Sequence, residues 1–123
     1  MQHAVRYMET HSQNPYYNLA FEEYVLTHRT EGDYLLLWQN DNTIVVGQNQ
    51  NTEAEINRAF VEQHHINVVR RSTGGGAVYH DLGNPNYSFI TDAGEKEKLS
   101  FARFTEPVVK ALCELALSAS ASG

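Results

Sequence analysis

Arg70-Arg71-Ser72-Thr73-Gly74-Gly75-Gly76-Ala77-Val78-Tyr79-His80-Asp81-Leu82-Gly83-Asn84 is the most informative stretch of the chain. Its run of adjacent glycines leaves backbone N–H groups unshielded, so an anion can come close. Two arginines precede the glycines and can fork onto phosphate or carboxylate oxygens. His80, Asp81 and Asn84 add polar groups beyond a short strand, Ala77 to Tyr79. Neighbours on a strand point to opposite faces, so His80 and Asp81 are not expected to pair on a metal or in acid–base work. A P-loop requires Gly-x-x-x-x-Gly-Lys-Ser/Thr, and no lysine follows these glycines. A dinucleotide fingerprint requires Gly-x-Gly-x-x-Gly opening a helix, whereas these glycines are adjacent and lead into a strand. On the residues alone two readings stay open: an anion cradle of another type, or a glycine-punctuated hairpin turn.

Working outward, Ile66 to Arg70 reads as the strand entering the loop, and Asn86 to Thr91 as a strand after the Leu82-Gly83-Asn84-Pro85 turn. Upstream, Asn14 can cap a helix with Pro15 at its first position. Tyr17, Ala20, Phe21, Tyr24 and Val25 then recur at helical spacing. Tyr34 to Trp38 reads as a strand buried on both faces. Asn40-Asp41-Asn42 is a turn, and Thr43 to Gly47 is the second strand of an expected hairpin. Thr52 and Glu55 suggest a capping box for a helix with Ile56, Ala59 and Phe60 inward. A last helix is expected over Phe104 to Leu117, with Pro107 in its first turn and Val108, Val109, Leu112, Cys113, Leu115 and Ala116 on its apolar face. Hairpins between helices predict an α+β domain whose sheet is largely antiparallel or mixed.

The 123 residues suit one small domain, and no repeat, linker or domain boundary stands out. No apolar run approaches the roughly 20 residues that span a bilayer, and the first residues lack the apolar core of a signal peptide. A cytoplasmic protein without membrane contact is expected. The lone Cys113 cannot form an internal disulfide and reads as a buried, inert thiol. The net charge of -6 argues against free nucleic acid as a partner. Arg70-Arg71 on that acidic background points instead to a small anionic ligand. Arg70 could also be a sheet-surface cation or pair with a carboxylate. Leu19 and Trp38 read as ordinary core residues on composition alone. Glu22 and Glu23 suit a polar helix face, and His64-His65 suit the surface.

The glycine stretch, with Asn86-Tyr87-Ser88-Phe89 behind it, closely resembles the signature of the lipoate–protein ligase A family, within the biotin/lipoate ligase superfamily. Other segments resemble that family in order and spacing. Asn14-Pro15-Tyr16-Tyr17-Asn18-Leu19-Ala20-Phe21-Glu22-Glu23 looks like its first helix. Leu37-Trp38-Gln39-Asn40 followed by Thr43 to Asn51 looks like its first hairpin, and Ser120-Ala121-Ser122-Gly123 like the segment before its Arg-Asn-Asp stretch. ATP-independent octanoyltransferases resemble Tyr-His-Gly-Pro-Gly-Gln, where this chain has His80-Asp81-Leu82-Gly83-Asn84. Other octanoyl and amido transferases resemble Thr-Gly-Gly-Arg-Ala-Val, where this chain has Gly76.

The resemblance implies a class II synthetase/biotin ligase-like α+β fold, of which residues 1–123 form the N-terminal part of the catalytic domain, incomplete at the C-terminus. It implies activation of lipoate by ATP and Mg²⁺ to lipoyl-adenylate. The lipoyl group then passes to a lysine of lipoyl domains of 2-oxoacid dehydrogenase E2 subunits or of the glycine-cleavage H protein. Arg71, Ser72, Gly75, Gly76, Ala77, Val78, Tyr79 and Asn84 are the implied adenylate contacts. Leu19, Trp38, Arg71, Gly75 and His80 are the implied lipoate pocket. The family's catalytic lysine and an acidic Mg²⁺ residue are expected beyond Gly123, so no catalytic or metal-binding residue is assigned within the chain. A second polypeptide carrying the rest of the domain, a non-catalytic lipoate- or adenylate-binding fragment, and an ATP-independent acyl transferase are the alternatives.

Overall fold

The computed structural model describes residues 5–29, 31–92 and 101–121. The elements are β1 (Val5–Glu9), α1 (Pro15–His28), β2 (Asp33–Trp38), β3 (Thr43–Val46), α2 (Thr52–Glu55), α3 (Arg58–Gln63), β4 (Asn67–Arg70), β5 (Val78–His80), β6 (Asn86–Ile90) and α4 (Phe101–Glu114). They divide into two compact units, Met1–Ile90 and Thr91–Gly123.

The first unit contains two three-stranded sheets, ordered β1-β2-β6 and β4-β3-β5. In each, the central strand has one parallel and one antiparallel neighbour: β2 runs parallel to β1 and antiparallel to β6, and β3 runs parallel to β4 and antiparallel to β5. The architecture is therefore α+β with mixed sheets. The hairpin expected over residues 34–47 does not form. Both edges of β2 and both edges of β3 are taken by other strands, so the two cannot pair with each other. Their connection is pulled toward the start of α1 instead, where Asp41 N–H donates to Gln13 O at 3.3 Å and Asn18 Nδ2 to Gln39 O at 2.9 Å.

The glycine stretch is not a hairpin turn either. β4 and β5 both pair with β3, on opposite sides of it. Residues 71–77 therefore arch over the C-terminal end of β3. Arg71 N–H donates to Val46 O at 3.0 Å, and Gln48 N–H to Thr73 O at 2.8 Å, so the arch is stitched to the strand end beneath it.

The helices follow from local chemistry. The Asn14 side chain accepts from the N–H groups of Tyr16 and Tyr17, and Pro15 opens α1, as the sequence suggests. The inward face is rotated from the aromatic stripe. Tyr17, Ala20 and Tyr24 are exposed, while Asn18 and Val25 are buried and Phe21 packs on the core. Asn18 goes inward because its amide finds backbone carbonyls there. The expected single helix after Thr52 is broken in two, because Asn51 caps α2 and Asn57 caps α3. Ala59 and Phe60 face solvent and Val61 is the buried residue. β2 alternates rather than being buried on both faces: Tyr34 and Leu36 are inside, and Leu37 is exposed. Val25, Tyr34, Leu36 and Ile90 form the core under α1, with Phe21 and Trp38 packed against it.

In the second unit, α4 begins three residues earlier than expected, so Pro107 lies inside it rather than in its first turn. Cys113 is exposed, not buried, with Sγ 3.7 Å from Ala119 O. Among the described residues no helix is long and apolar enough to cross a membrane.

Gly47, at the end of β3, carries the arch. A Cβ there would stand 2.2 Å from Gly75 O, a backbone atom with little freedom to yield. Gly47→Ala is expected to destabilise the protein by about 1–3 kcal/mol and to lower Tm by about 5 °C or more. Thermal denaturation checks this; an unchanged Tm would mean that the arch lifts off β3 freely.

Candidate functional site

Arg70 and Arg71 leave β4 in succession and reach two different loops. The Arg70 guanidinium donates from Nη1 to the carbonyls of Gly47, Gln48 and Gln50 at 2.9, 3.0 and 2.7 Å, and from Nη2 to Thr52 Oγ1 at 2.7 Å. It gathers the 47–52 loop around its charge, a role that neither a sheet-surface cation nor a carboxylate pair describes. Gln50 adds to this loop by accepting the Gly47 N–H at Oε1, 2.7 Å away. Sequence reading missed this clamp. The available signal was Gly47 ending an apolar strand, followed by the run of amide side chains from Gln48 to Asn51.

Arg71 is half-buried under the arch. Its Nη2 donates to Gly74 O and Gly76 O, both at 2.8 Å, and its Nη1 to Val45 O at 3.3 Å. In a trans peptide the C=O and the following N–H point in opposite directions, and no peptide among the described residues is cis. Drawing the Gly74 and Gly76 carbonyls toward the guanidinium therefore turns the N–H groups of Gly75 and Ala77 away from it. Gly75 makes this possible with φ at 102°, a left-handed conformation that side-chain-bearing residues rarely adopt. The outcome is a loop with carbonyls inward and donors outward, suited to an anion. Among the described residues, Arg71 Nε–H and one Nη1–H make no hydrogen bond.

A cavity of about 380 Å³ lies between α1 and the β4–arch junction. Leu19, Arg71 and Ser72, three of the sequence-assigned residues, line it together with Glu22 and Val68. Trp38 does not line this cavity but is connected to it. Its Nε1–H donates to Ser88 Oγ at 2.9 Å, and the Ser88 hydroxyl donates to Glu22 Oε2. Glu22 is thus more than a polar helix face. Trp38 also meets His80 edge to face, with ring centroids 6.0 Å apart. Trp38 and His80 are therefore neighbours, as are Leu19, Arg71 and Ser72, and Glu22 bridges the two groups.

β5 alternates, so its residues diverge. His80 is buried at 8% exposure, while Tyr79 points the other way and donates its hydroxyl to Asn42 Oδ1 at 3.1 Å. Val78 is exposed and Ala77 half-buried. Asp81 is exposed and caps its own turn by accepting Gly83 N–H at 2.8 Å, so it does not act with His80. Asn84 sits in that turn, bonded to Asp81 O and Asn86 Oδ1 rather than to the arch. Burial, and secondarily the nearby Arg71 charge, holds the His80 pKa below its ordinary value.

Residues 14–123 match the family model of the lipoyl protein ligase A/B catalytic domain. The chain is similar to lipoate–protein ligase 1 of Staphylococcus aureus, with 50% identity over 111 residues, which is 89% of this chain and 34% of that protein. It spans about a third of that relative's length. Among solved structures it resembles P. falciparum LipL1 in complex with lipoate, at TM-score 0.87 and 27% identity, covering 98% of this chain and 39% of that one. It also resembles a lipoate–protein ligase A bound with ATP, at TM-score 0.77 and 28% identity, covering 95% and 48%. With the arched glycine loop in place and the match running through every element that builds it, the chain belongs to the lipoyl protein ligase A/B catalytic-domain family.

Proposed function

We propose that this chain supplies the acyl- and adenylate-binding part of a cytoplasmic lipoate–protein ligase. The observation that carries the reading is the arch. Arg71 holds the carbonyls of Gly74 and Gly76 inward, so Gly75 and Ala77 offer their N–H groups outward at the end of a rigid strand.

In the proposed reaction a lipoate carboxylate oxygen attacks the α-phosphorus of ATP. The acyl–adenylate bond forms and pyrophosphate leaves with its bonding electron pair. A lysine amine of an acceptor lipoyl domain, of an E2 subunit or an H protein, then attacks the acyl carbon. The amide forms, AMP leaves, and the amine proton is lost. Negative charge builds on the phosphate oxygens in the first step, and fixed donors at that point stabilise it. The outward N–H groups of Gly75 and Ala77 and the free N–H groups of Arg71 are such donors. Gly75 and Gly76 let the loop close on the phosphate, with Ser72, Val78, Tyr79 and Asn84 as proposed contacts toward the nucleotide. Leu19 and Trp38 offer apolar surface to the acyl chain, and His80 offers a polar contact beside Trp38. The two relatives of known structure, one named with lipoate and one with ATP, support this choice of substrates. Magnesium would accompany ATP in the family's chemistry. Among the described residues no group of three or more His, Cys, Asp and Glu could hold a metal ion, and no step above rests on one.

Arg71→Ala in the complete protein is expected to lower lipoate-dependent pyrophosphate release by roughly a hundredfold, with an unchanged circular dichroism spectrum. Release at the wild-type rate would remove Arg71 from the reaction, and acyl transfer without ATP would replace a ligase with a transferase. Trp38→Ala is expected to weaken lipoate binding more than binding of a short-chain acid. Calorimetry with both acids decides this, and equal losses would make Trp38 a core residue alone.

A further inference from the structure

Asn18, Asn40 and His80 are all buried, at 1%, 0% and 8% exposure, and they form one hydrogen-bonded chain. The direction of that chain can be read from what each end is able to do. Asn18 Nδ2 lies 2.8 Å from Ser12 O and 2.9 Å from Gln39 O. Backbone carbonyls only accept, so the nitrogen end of Asn18 must face them. The Asn40 amide places one end 2.8 Å from the same nitrogen; its nitrogen there would set donor against donor, so that end is Oδ1, sharing one of the two Asn18 Nδ2 protons. The Asn40 amide is then oriented, and its Nδ2 faces His80 Nδ1 at 3.2 Å. An amide nitrogen only donates. His80 Nδ1 must therefore carry a lone pair, which leaves the ring proton on Nε2. Protonating the ring would set one N–H against another across that 3.2 Å contact. Burial and the Arg71 charge act in the same direction.

His80 Nε2 makes no hydrogen bond among the described residues, and it is not one of the side-chain atoms sealed away without a partner. His80 keeps 8% of its surface exposed, and Nε2 is the ring nitrogen left without a protein partner among the described residues. We propose that Asn18 and Asn40 are positioning residues that hold His80 as a neutral imidazole with its proton on Nε2, a single fixed donor to the carboxyl group of the acyl substrate. This rests on the reading of the site as one that receives an acyl carboxylate. The chemistry gives the arrangement a purpose. A carboxylate that must attack phosphorus has to stay unprotonated. A neutral imidazole N–H orients an oxygen by hydrogen bonding, whereas an imidazolium would hold the carboxylate in an ion pair and draw negative charge off the attacking oxygen. The amide chain selects the first state and opposes the second.

Two measurements test this in the complete protein. Long-range ¹H–¹⁵N spectra of histidine-labelled protein at neutral pH are expected to show His80 with a pyridine-type Nδ1 and a pyrrole-type Nε2. Asn40→Asp keeps an acceptor for Asn18 but replaces the donor to His80 with an acceptor, so Nδ1 is expected to become protonated. A wild-type Nδ1–H tautomer, or an Asn40→Asp spectrum identical to wild type, would overturn the relay. In the second measurement, lipoate affinity is read by calorimetry. His80→Asn, whose amide ends near the Nδ1 position, is expected to lose about tenfold. His80→Gln, whose amide reaches toward the Nε2 position, is expected to lose clearly less. Equal losses in the two variants would overturn the role of Nε2. Wild-type protein that binds no lipoate would sink the carboxylate reading of the site, while the spectra judge the tautomer independently of any ligand.

Discussion

The close approach of Gly75 O to Gly47 is the contact on which the rest of the site depends. A chain that leaves one side of a central strand and returns on its other side must cross that strand's end. In this protein the crossing is tight, because Gly47 presents only hydrogen where any other residue would present carbon 2.2 Å from a backbone oxygen. The topology β4-β3-β5 makes the crossing necessary, and the missing side chain makes it compact. Once the crossing is compact, Arg71 can reach carbonyls on both limbs of the arch from below. The outward N–H groups follow from that geometry without any side chain being dedicated to them.

The paired arginines show how cations can shape loops around a proposed anion site by binding backbone carbonyls. Arg70 binds the 47–52 loop through three carbonyls and a hydroxyl. Arg71 binds the arch through two carbonyls and β3 through a third. Carbonyl oxygens carry partial negative charge, so each guanidinium is stabilised where it sits. Its positive field still extends beyond, and His80 senses it. On a chain with a net charge of -6, such fixed cations give local attraction for a phosphate or carboxylate that the surface as a whole does not provide.

Local signals in the sequence were readable where the deciding interaction is local. Asn14 and Pro15 start α1 because a cap and a first-turn proline act within one helical turn. His80 and Asp81 part because β5 ends at His80 and Asp81 turns to cap the next loop, a local event rather than strand pleating. What failed were inferences about partners distant in the chain. Strands 34–38 and 43–46 look like a hairpin because adjacent strands often pair, yet each is the centre of a different sheet. β1 was not anticipated, since its five residues are all exposed in their burial pattern and show no alternation to read. The inward face of α1 was misjudged by following aromatics, when a polar residue, Asn18, was the more deeply buried one. An asparagine in a helix interior is disfavoured by its competition for the backbone. Its presence at such a position was the available sign of a tertiary hydrogen bond. Of the assigned site residues, the structure draws Leu19, Arg71 and Ser72 to one cavity and sets Trp38 beside His80. The glycine arch explains why the first group gathers. Glu22, reached through Ser88, explains how the second connects to it.

Polar groups under the site are arranged so that each has few alternatives. Ser88 accepts from Trp38 and donates to Glu22, which fixes its hydroxyl and with it the indole ring. Asn18 faces two carbonyls and an amide oxygen, which fixes its own orientation and that of Asn40. Both chains start on α1 and end on the aromatic pair Trp38 and His80. The network leaves Asn18 Oδ1 buried without a partner, which costs desolvation, while its paired groups favour a single arrangement of the side chains. The proposed acyl end of the site is therefore shaped by hydrogen-bond direction as much as by packing. α1, which contributes Leu19 to the cavity wall, also sets the orientation of the Trp38 and His80 rings through these two chains.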